Sequence, residues 1–405
     1  MNRIGIDFGT SFCTSSWINP TTNKPEAITF HETGMQKMPS VVYFSPEGIV
    51  VGQAAYDLVE NSLGMHEEHR RQIISSVVMS IKRNMQQGQC FYLNGGGKVT
   101  HEQIIAEILQ KIRENAQSTC FDNQPVEGAT ITHPVVFQNW QKEMLKKAAQ
   151  LAGFSEVRLL EEPVAAALGY AVSTNDKAKG ILVYDFGGGT FDVAYVERDD
   201  DGKFRVPIDP EGEPCCGGDD IDEALYVRWE QLVTEKFDRT ISAKPDHADP
   251  GFKAKCRKHK ESMSMMPKNF FSEVLPPPGF HRAEMHLTRP EFDKLAEPVI
   301  GKTITKTERL LEKVITAGYS IDSAVMIGGS SRIPLVYETL KGILPVEPRK
   351  VMQVDVAVAL GAILHNKVNN GTLRQKVFCI FCGKRINAKD KFCMHCGKRN
   401  VPANH

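Results

Sequence analysis

The chain has 405 residues, no net formal charge, 41% hydrophobic and 24% charged residues, a balance that excludes a disordered chain and is too long for one small core. No apolar run approaches the ~20 residues that span a bilayer, so no membrane partner is expected. The charge is uneven: from Asn366 onward there are nine Lys or Arg and one acid, which leaves 40 basic and 48 acidic residues before it.

In chain order, the first strand is expected at once, at Arg3-Ile4-Gly5-Ile6-Asp7. That leaves no space ahead of it for a signal peptide, and a cytoplasmic location is the expectation. Residues 4–18 read IGIDFGTSFCTSSWI, and residues 181–196 read ILVYDFGGGTFDVAYV. Each is a short apolar strand, then Asp-Phe-Gly, then a run of Gly, Ser and Thr, then a second strand, which is the grammar of a β-hairpin. The two Asp-Phe-Gly segments start 178 residues apart, so the repeating unit is a lobe and not a solenoid turn.

Such turns suit phosphate. Glycines let the backbone approach an anion, and successive N–H groups form a nest for its oxygens. The hydroxyls of Thr10, Ser11 and Thr190 add donors. Asp7 and Asp185 repel phosphate, and they make sense when Mg²⁺, held through its water shell, lies between carboxylate and phosphate. Two such hairpins point to a cleft whose walls each grip a polyphosphate.

The ten cysteines fall into two sets. Cys13, Cys90, Cys120, Cys215, Cys216 and Cys256 are scattered, and free thiols are expected, with Cys215-Cys216 in a turn. Cys379-x-x-Cys382 and Cys393-x-x-Cys396, each followed by Gly-Lys-Arg, form the pattern of a zinc ribbon with four soft ligands for one structural Zn²⁺. Disulfides within the pairs are the competing reading. About 25 residues cannot build a hydrophobic core, so metal binding would supply the folding energy. Residues 366–377 read as a linker and 378–400 as the ribbon. The basic tail suits an acidic partner or nucleic acid, against the plainer reading of a solvated, solubilising segment.

Together the motifs resemble the heat shock protein 70 family, which shares its fold with actin and the sugar kinases. IGIDFGTSF and YDFGGGTFDVAYV resemble its two phosphate loops, GGDDID (217–222) the segment that follows the second, and VMIGGSSRIPLV (325–336) its adenosine loop. LLEEPVAAALGY (159–170) resembles the first connecting helix, ITHPVVFQNWQKEMLKKAAQLAGF (131–154) the strand-proline-helix segment, and VDVAVALGAILHNK (354–367) the closing helix. The resemblance implies an α/β, two-lobed actin-like ATPase fold with duplicated lobes over residues 1–365. Lobe I would be about 1–180 plus 354–365, and lobe II about 181–353 with a cap insertion at about 219–305.

The resemblance also implies roles. Lys82 matches the lysine that orients the attacking water, and Glu162 matches the catalytic carboxylate, with Pro163 as first helical residue. Asp7, Asp185 and Asp192 match the metal- and water-positioning acids, with Asp7 and Asp185 meeting Mg²⁺ through water. Gly9, Thr10, Ser11, Phe12, Gly187, Gly188, Gly189 and Thr190 match the phosphate loops, Thr190 also acting in catalysis, and Gly217 and Gly218 follow them. Lys260, Ser264, Gly328, Gly329, Ser330, Arg332 and Asp355 match the adenosine side. ATP or ADP, Mg²⁺ and a structural Zn²⁺ are the implied cofactors. The implied function is a slow ATPase switch of chaperone type with the ribbon as a docking module for a protein partner. A nucleotide-binding scaffold or filament protein, and a small-molecule kinase, are the other readings.

The chain departs from the family in four places. Glu261 stands where the family has arginine, and Arg257 where it has glutamate, which implies an altered adenine clamp. Lys142 replaces an arginine beside the retained Pro134. After the closing helix, neither a peptide-binding β-sandwich nor the acidic, leucine-rich linker of the family is expected from the residues that follow.

Overall fold

The computed structural model describes residues 1–369 apart from 46, 94–96, 175, 201, 242–247, 277–280 and 351–355, together with two short strands, Lys376–Phe378 and Arg385–Asn387. Asp355 and the four ribbon cysteines lie outside the described residues.

The internal repeat seen in the sequence is a repeat of topology. In the first sheet the strand order is Glu156–Glu161, Val126–His133, Asn2–Asp7, Phe12–Ile18, Pro25–Ala27, with Lys37–Pro39 also pairing Phe12–Ile18. In the second it is Pro348–Lys350, Ser323–Ile327, Gly180–Phe186, Phe191–Arg198, Phe204–Arg205, with Glu211–Glu213 also pairing Phe191–Arg198. Each sheet runs parallel through its first three strands and antiparallel from the hairpin outward. Two helices serve each parallel part. Helices His101–Cys120 and Asn139–Leu151 flank Val126–His133, and Arg289–Thr316 and Pro334–Ile343 flank Ser323–Ile327. This is the two-lobed, duplicated α/β architecture.

The central strands are buried on both faces. Ile181, Leu182, Val183 and Tyr184 are all sealed from solvent, as expected for strands that carry helices on either side. Local chemistry fixes the helix starts. Thr100 Oγ1 accepts from the Gln103 N–H at 3.3 Å while Gln103 Oε1 accepts from the Thr100 N–H at 2.9 Å, a reciprocal cap. At the head of Arg289–Thr316, Glu291 Oε2 accepts from both the Thr288 N–H at 2.8 Å and the Thr288 hydroxyl at 2.6 Å.

Several expected boundaries are redrawn. Helix Arg289–Thr316 runs straight through residue 305, because Phe292, Ala296, Ile300, Thr303, Thr307, Leu310 and Val314 keep one face in the core along its whole length. The boundary expected at about residue 305 thus falls inside one continuous helix. The first lobe carries an insertion of its own, a three-stranded sheet of Val41–Ser45, Gly48–Val51 and Val77–Met79 with helices Gln53–Asn61 and Glu67–Ser76. The closing helix spans Ala357–Asn369, four residues into the expected linker, since no Gly or Pro interrupts it before Asn369. Helix Glu162–Thr174 begins at Glu162 itself, with Pro163 second.

Two glycines let the lobes join. A Cβ on Gly361 of the closing helix would lie 1.7 Å from the Ala165 carbonyl oxygen, and one on Gly169 would lie 2.1 Å from that of Ala357. The two helices thus touch backbone to backbone. The closing helix also lies on the first hairpin, where the Ser16 hydroxyl donates to the Ala359 carbonyl at 2.6 Å.

Candidate functional site

Between the lobes lies a cleft of about 360 Å³. Asp7 and Asp185 stand near the ends of strands Asn2–Asp7 and Gly180–Phe186 and line it from opposite lobes. The two hairpin loops meet face to face. A Cβ on Gly188 would fall 2.0 Å from Ser11 Oγ, and one on Gly189 would fall 2.5 Å from Thr10 Cγ2. A side chain at either glycine would have to displace the Ser11 or Thr10 side chain across the cleft.

The second loop is held from behind. The Gly187 carbonyl accepts from the Gly218 N–H at 3.0 Å and from the Ser330 hydroxyl at 2.8 Å, and the Gly188 carbonyl accepts from the Asp219 N–H at 2.6 Å. Gly217 and Gly218 thus stand one layer behind the cleft: a Cβ on Gly217 would meet the Gly188 carbonyl oxygen at 2.4 Å. Gly328 takes φ +80°, and a Cβ there would lie 2.4 Å from the Phe186 carbonyl oxygen. Gly9, Thr10, Ser11, Phe12, Gly187, Gly188, Thr190, Gly329, Ser330 and Arg332 line the cleft itself. Asp192 and Gly189 lie just behind its surface.

At the phosphate-loop end, Lys82 follows strand Val77–Met79 in a turn, and its Nζ donates to Glu162 Oε1 at 2.6 Å. Both residues are only 4% exposed. Burial works against the ammonium, yet the charges of Glu162, Asp7 and Asp185 hold its pKa above the ordinary lysine value. The acids show the converse. Burial first, then Glu162, Asp192 and Asp7, push Asp185 well above the carboxylate range. Burial and Glu162 push Asp192 up to about 7, against Lys82. The Thr132 hydroxyl donates to Asp7 Oδ1 at 3.1 Å, while Asp192 Oδ1 is buried with no hydrogen-bond partner.

Four carboxylates thus face one ammonium. That donor set fits a divalent cation, which would offset the like-charge repulsion that raises Asp185 and Asp192. Among the described residues no three His, Cys, Asp or Glu converge closely enough to bind a metal directly.

The other end of the cleft is lined by Lys37, Arg257, Lys260, Glu261, Ser264 and Arg332. Arg257 is buried, bonds Asp219 at 3.0 Å and approaches Asp222 at 3.6 Å. Lys260 reaches Asp222 at 2.8 Å and the Gly218 carbonyl at 2.9 Å. Burial works against Asp219, but Arg257 and Lys260 hold its pKa below the usual value. Two cations approach the Phe12 ring, with Lys37 Nζ 4.6 Å and the Arg257 guanidinium carbon 6.0 Å from its centre. Lys37, Thr14 and Val358 join the cleft without having been singled out by the sequence. Across the lobes, Arg83 makes a two-point bond to Asp220 at 2.7 and 3.0 Å, Ser80 donates to Asp219 at 2.7 Å, and Glu60 meets Lys255 at 3.1 Å.

Two duplicated lobes closing glycine hairpins, buried acids and a buried lysine on one cleft define the actin-like class of ATPase folds. A family model described as Hsp70 protein matches residues 3–381, and the chain belongs to that family. Members of the Hsp70 family bind ATP or ADP with Mg²⁺, hydrolyse ATP and work on client proteins as chaperones. Among the described residues no helix is long and apolar enough to cross a membrane.

Proposed function

We propose that this chain binds Mg²⁺–ATP in the cleft and hydrolyses it slowly, as a cytoplasmic switch of chaperone type. The observation that carries the reading is the buried Lys82–Glu162 pair, placed where both Asp-Phe-Gly hairpins converge. Mg²⁺, when bound, offsets charge on the β- and γ-phosphates. Asp7 and Asp185 would hold its waters, with Asp192 and Glu162 behind them. Lys82 and Glu162 orient the attacking water, and the backbone N–H groups and hydroxyls of Thr10, Ser11 and Thr190 bind the transferring group. Lys260, Ser264, Gly328, Gly329, Ser330, Arg332 and Asp355 would hold the nucleoside, with Gly217 and Gly218 bracing the loop behind. The test is phosphate release by purified protein with Mg²⁺–ATP and no acceptor. Slow turnover is expected. Transfer only to an added small molecule would indicate a kinase, and sedimentation with nucleotide but no turnover a filament former.

The base end differs from the family pattern. Glu261 provides no planar cation to lie over a base, and Arg257 is committed to Asp219 and Asp222. Glu261→Arg is expected to tighten ATP binding about fivefold, by roughly 1 kcal/mol of stacking. Unchanged or weaker binding in a calorimetric titration would count against this account of the clamp.

For the tail we propose a four-cysteine Zn²⁺ module, expected at 378–400, carried beyond the closing helix Ala357–Asn369 and docking a protein partner. Its support is the cysteine spacing, together with the antiparallel pairing of strands Lys376–Phe378 and Arg385–Asn387, between which Cys379 and Cys382 fall in the sequence. Its excess positive charge favours an acidic partner surface or nucleic acid. Cys379→Ser with Cys382→Ser should release one zinc per chain by elemental analysis and lose partners recovered from cells. Unaltered zinc content would sink the metal assignment, and unaltered partners the docking role.

A further inference from the structure

The two hairpins correspond residue by residue. Thr14 lies seven residues after Asp7, and Asp192 lies seven after Asp185. The strand registers agree: Asp7 pairs with Thr14 across the first hairpin, and Asp185 pairs with Asp192 across the second. Directly opposed residues of an antiparallel pair project from the same face. Thr14 therefore stands to Asp7 as Asp192 stands to Asp185.

The likeness extends to their surroundings. Thr14 is 3% exposed and Asp192 2%. Each holds a buried oxygen with no hydrogen-bond partner, Thr14 Oγ1 and Asp192 Oδ1. The neighbouring hydroxyls are satisfied: Ser40 donates to the Gly9 carbonyl, Ser16 to that of Ala359 and Thr132 to Asp7. Ser15 and Thr130 also have unpartnered hydroxyls, but they do not line the cleft, whereas Thr14 does, beside Asp7 and Lys82. A buried hydroxyl without a partner is costly, and a water or ligand oxygen arriving in the cleft removes that cost.

We propose that Thr14 is a positioning residue, the first lobe's counterpart of Asp192, whose hydroxyl hydrogen-bonds a water of the hydrated Mg²⁺–nucleotide on the Asp7 side. The inference rests on the nucleotide reading above. It gives the pseudo-symmetric site one charged and one neutral anchor. A hydroxyl can donate or accept, so it holds a water without adding a further negative charge to a cluster already rich in carboxylates.

The test is ADP affinity of the full chain by calorimetry, in Mg²⁺ and in EDTA, for wild type, Thr14→Val and Thr14→Ser. Valine keeps the shape and removes the hydroxyl, and serine restores it. Thr14→Val should weaken binding about fivefold in Mg²⁺, the loss of one hydrogen bond, and leave the EDTA affinity within about twofold of wild type. Thr14→Ser should recover most of the loss. Equal weakening in both media would mean a packing role and overturn the inference, as would no weakening at all. Should valine fail to fold, Thr14→Ala against Thr14→Ser makes the same comparison. Wild type that binds no ADP in either medium would overturn the nucleotide reading and this inference with it.

Discussion

Replacing Lys82 with alanine is expected to lower ATP turnover by about 10²- to 10³-fold, the loss typical when a preorganised charge is removed from the reacting group. The same change should destabilise the fold. Lys82 and Glu162 are each 4% exposed and 2.6 Å apart, and breaking a buried pair from one side costs about 3–5 kcal/mol because the remaining charge is left without its partner. The two effects separate in the double variant Lys82→Met, Glu162→Gln. With both charges gone, stability should return toward wild type while turnover stays low. Wild-type turnover in Lys82→Ala would show that the assigned chemistry is wrong.

The second large effect is structural. Gly361→Val should cost about 3 kcal/mol or more in denaturant unfolding, or prevent folding, because its Cβ would sit 1.7 Å from the Ala165 carbonyl oxygen and a backbone oxygen cannot swing away. Gly301→Ala is the contrast. It lies inside helix Arg289–Thr316 with nothing within 4 Å of its Cβ position, so the sign should reverse and stability rise by about 0.5–1 kcal/mol. Similar effects from the two substitutions would refute the view that the helix crossing needs a glycine.

The paired hairpins were legible because local chemistry writes them: an acid, glycines and hydroxyls at a fixed spacing, between apolar strands. From them followed the lobes and the phosphate-loop end of the cleft. The nucleoside end was less legible. Arg257 could be read as a charge exchanged with the family's glutamate, but its partners Asp219 and Asp222 lie 38 and 35 residues away in sequence, and only tertiary packing brings them together. Lys37 reaches the cleft from a three-residue strand that carries no recognisable pattern. Thr14 was hidden for another reason. Its significance is relational, visible only when the strand register sets it opposite Asp7 and the second lobe shows an acid at the matching place.

The backbone contact at Gly169 and Gly361 also works as a fulcrum. The closing helix is pinned there, near its start, and extends eight residues further to Asn369, an arm of about 12 Å at 1.5 Å per residue. A 10° tilt about the pin would swing its far end by roughly 2 Å, the scale of helix displacements in switching proteins. A change in the crossing of these two helices would therefore also move the point from which the basic tail departs.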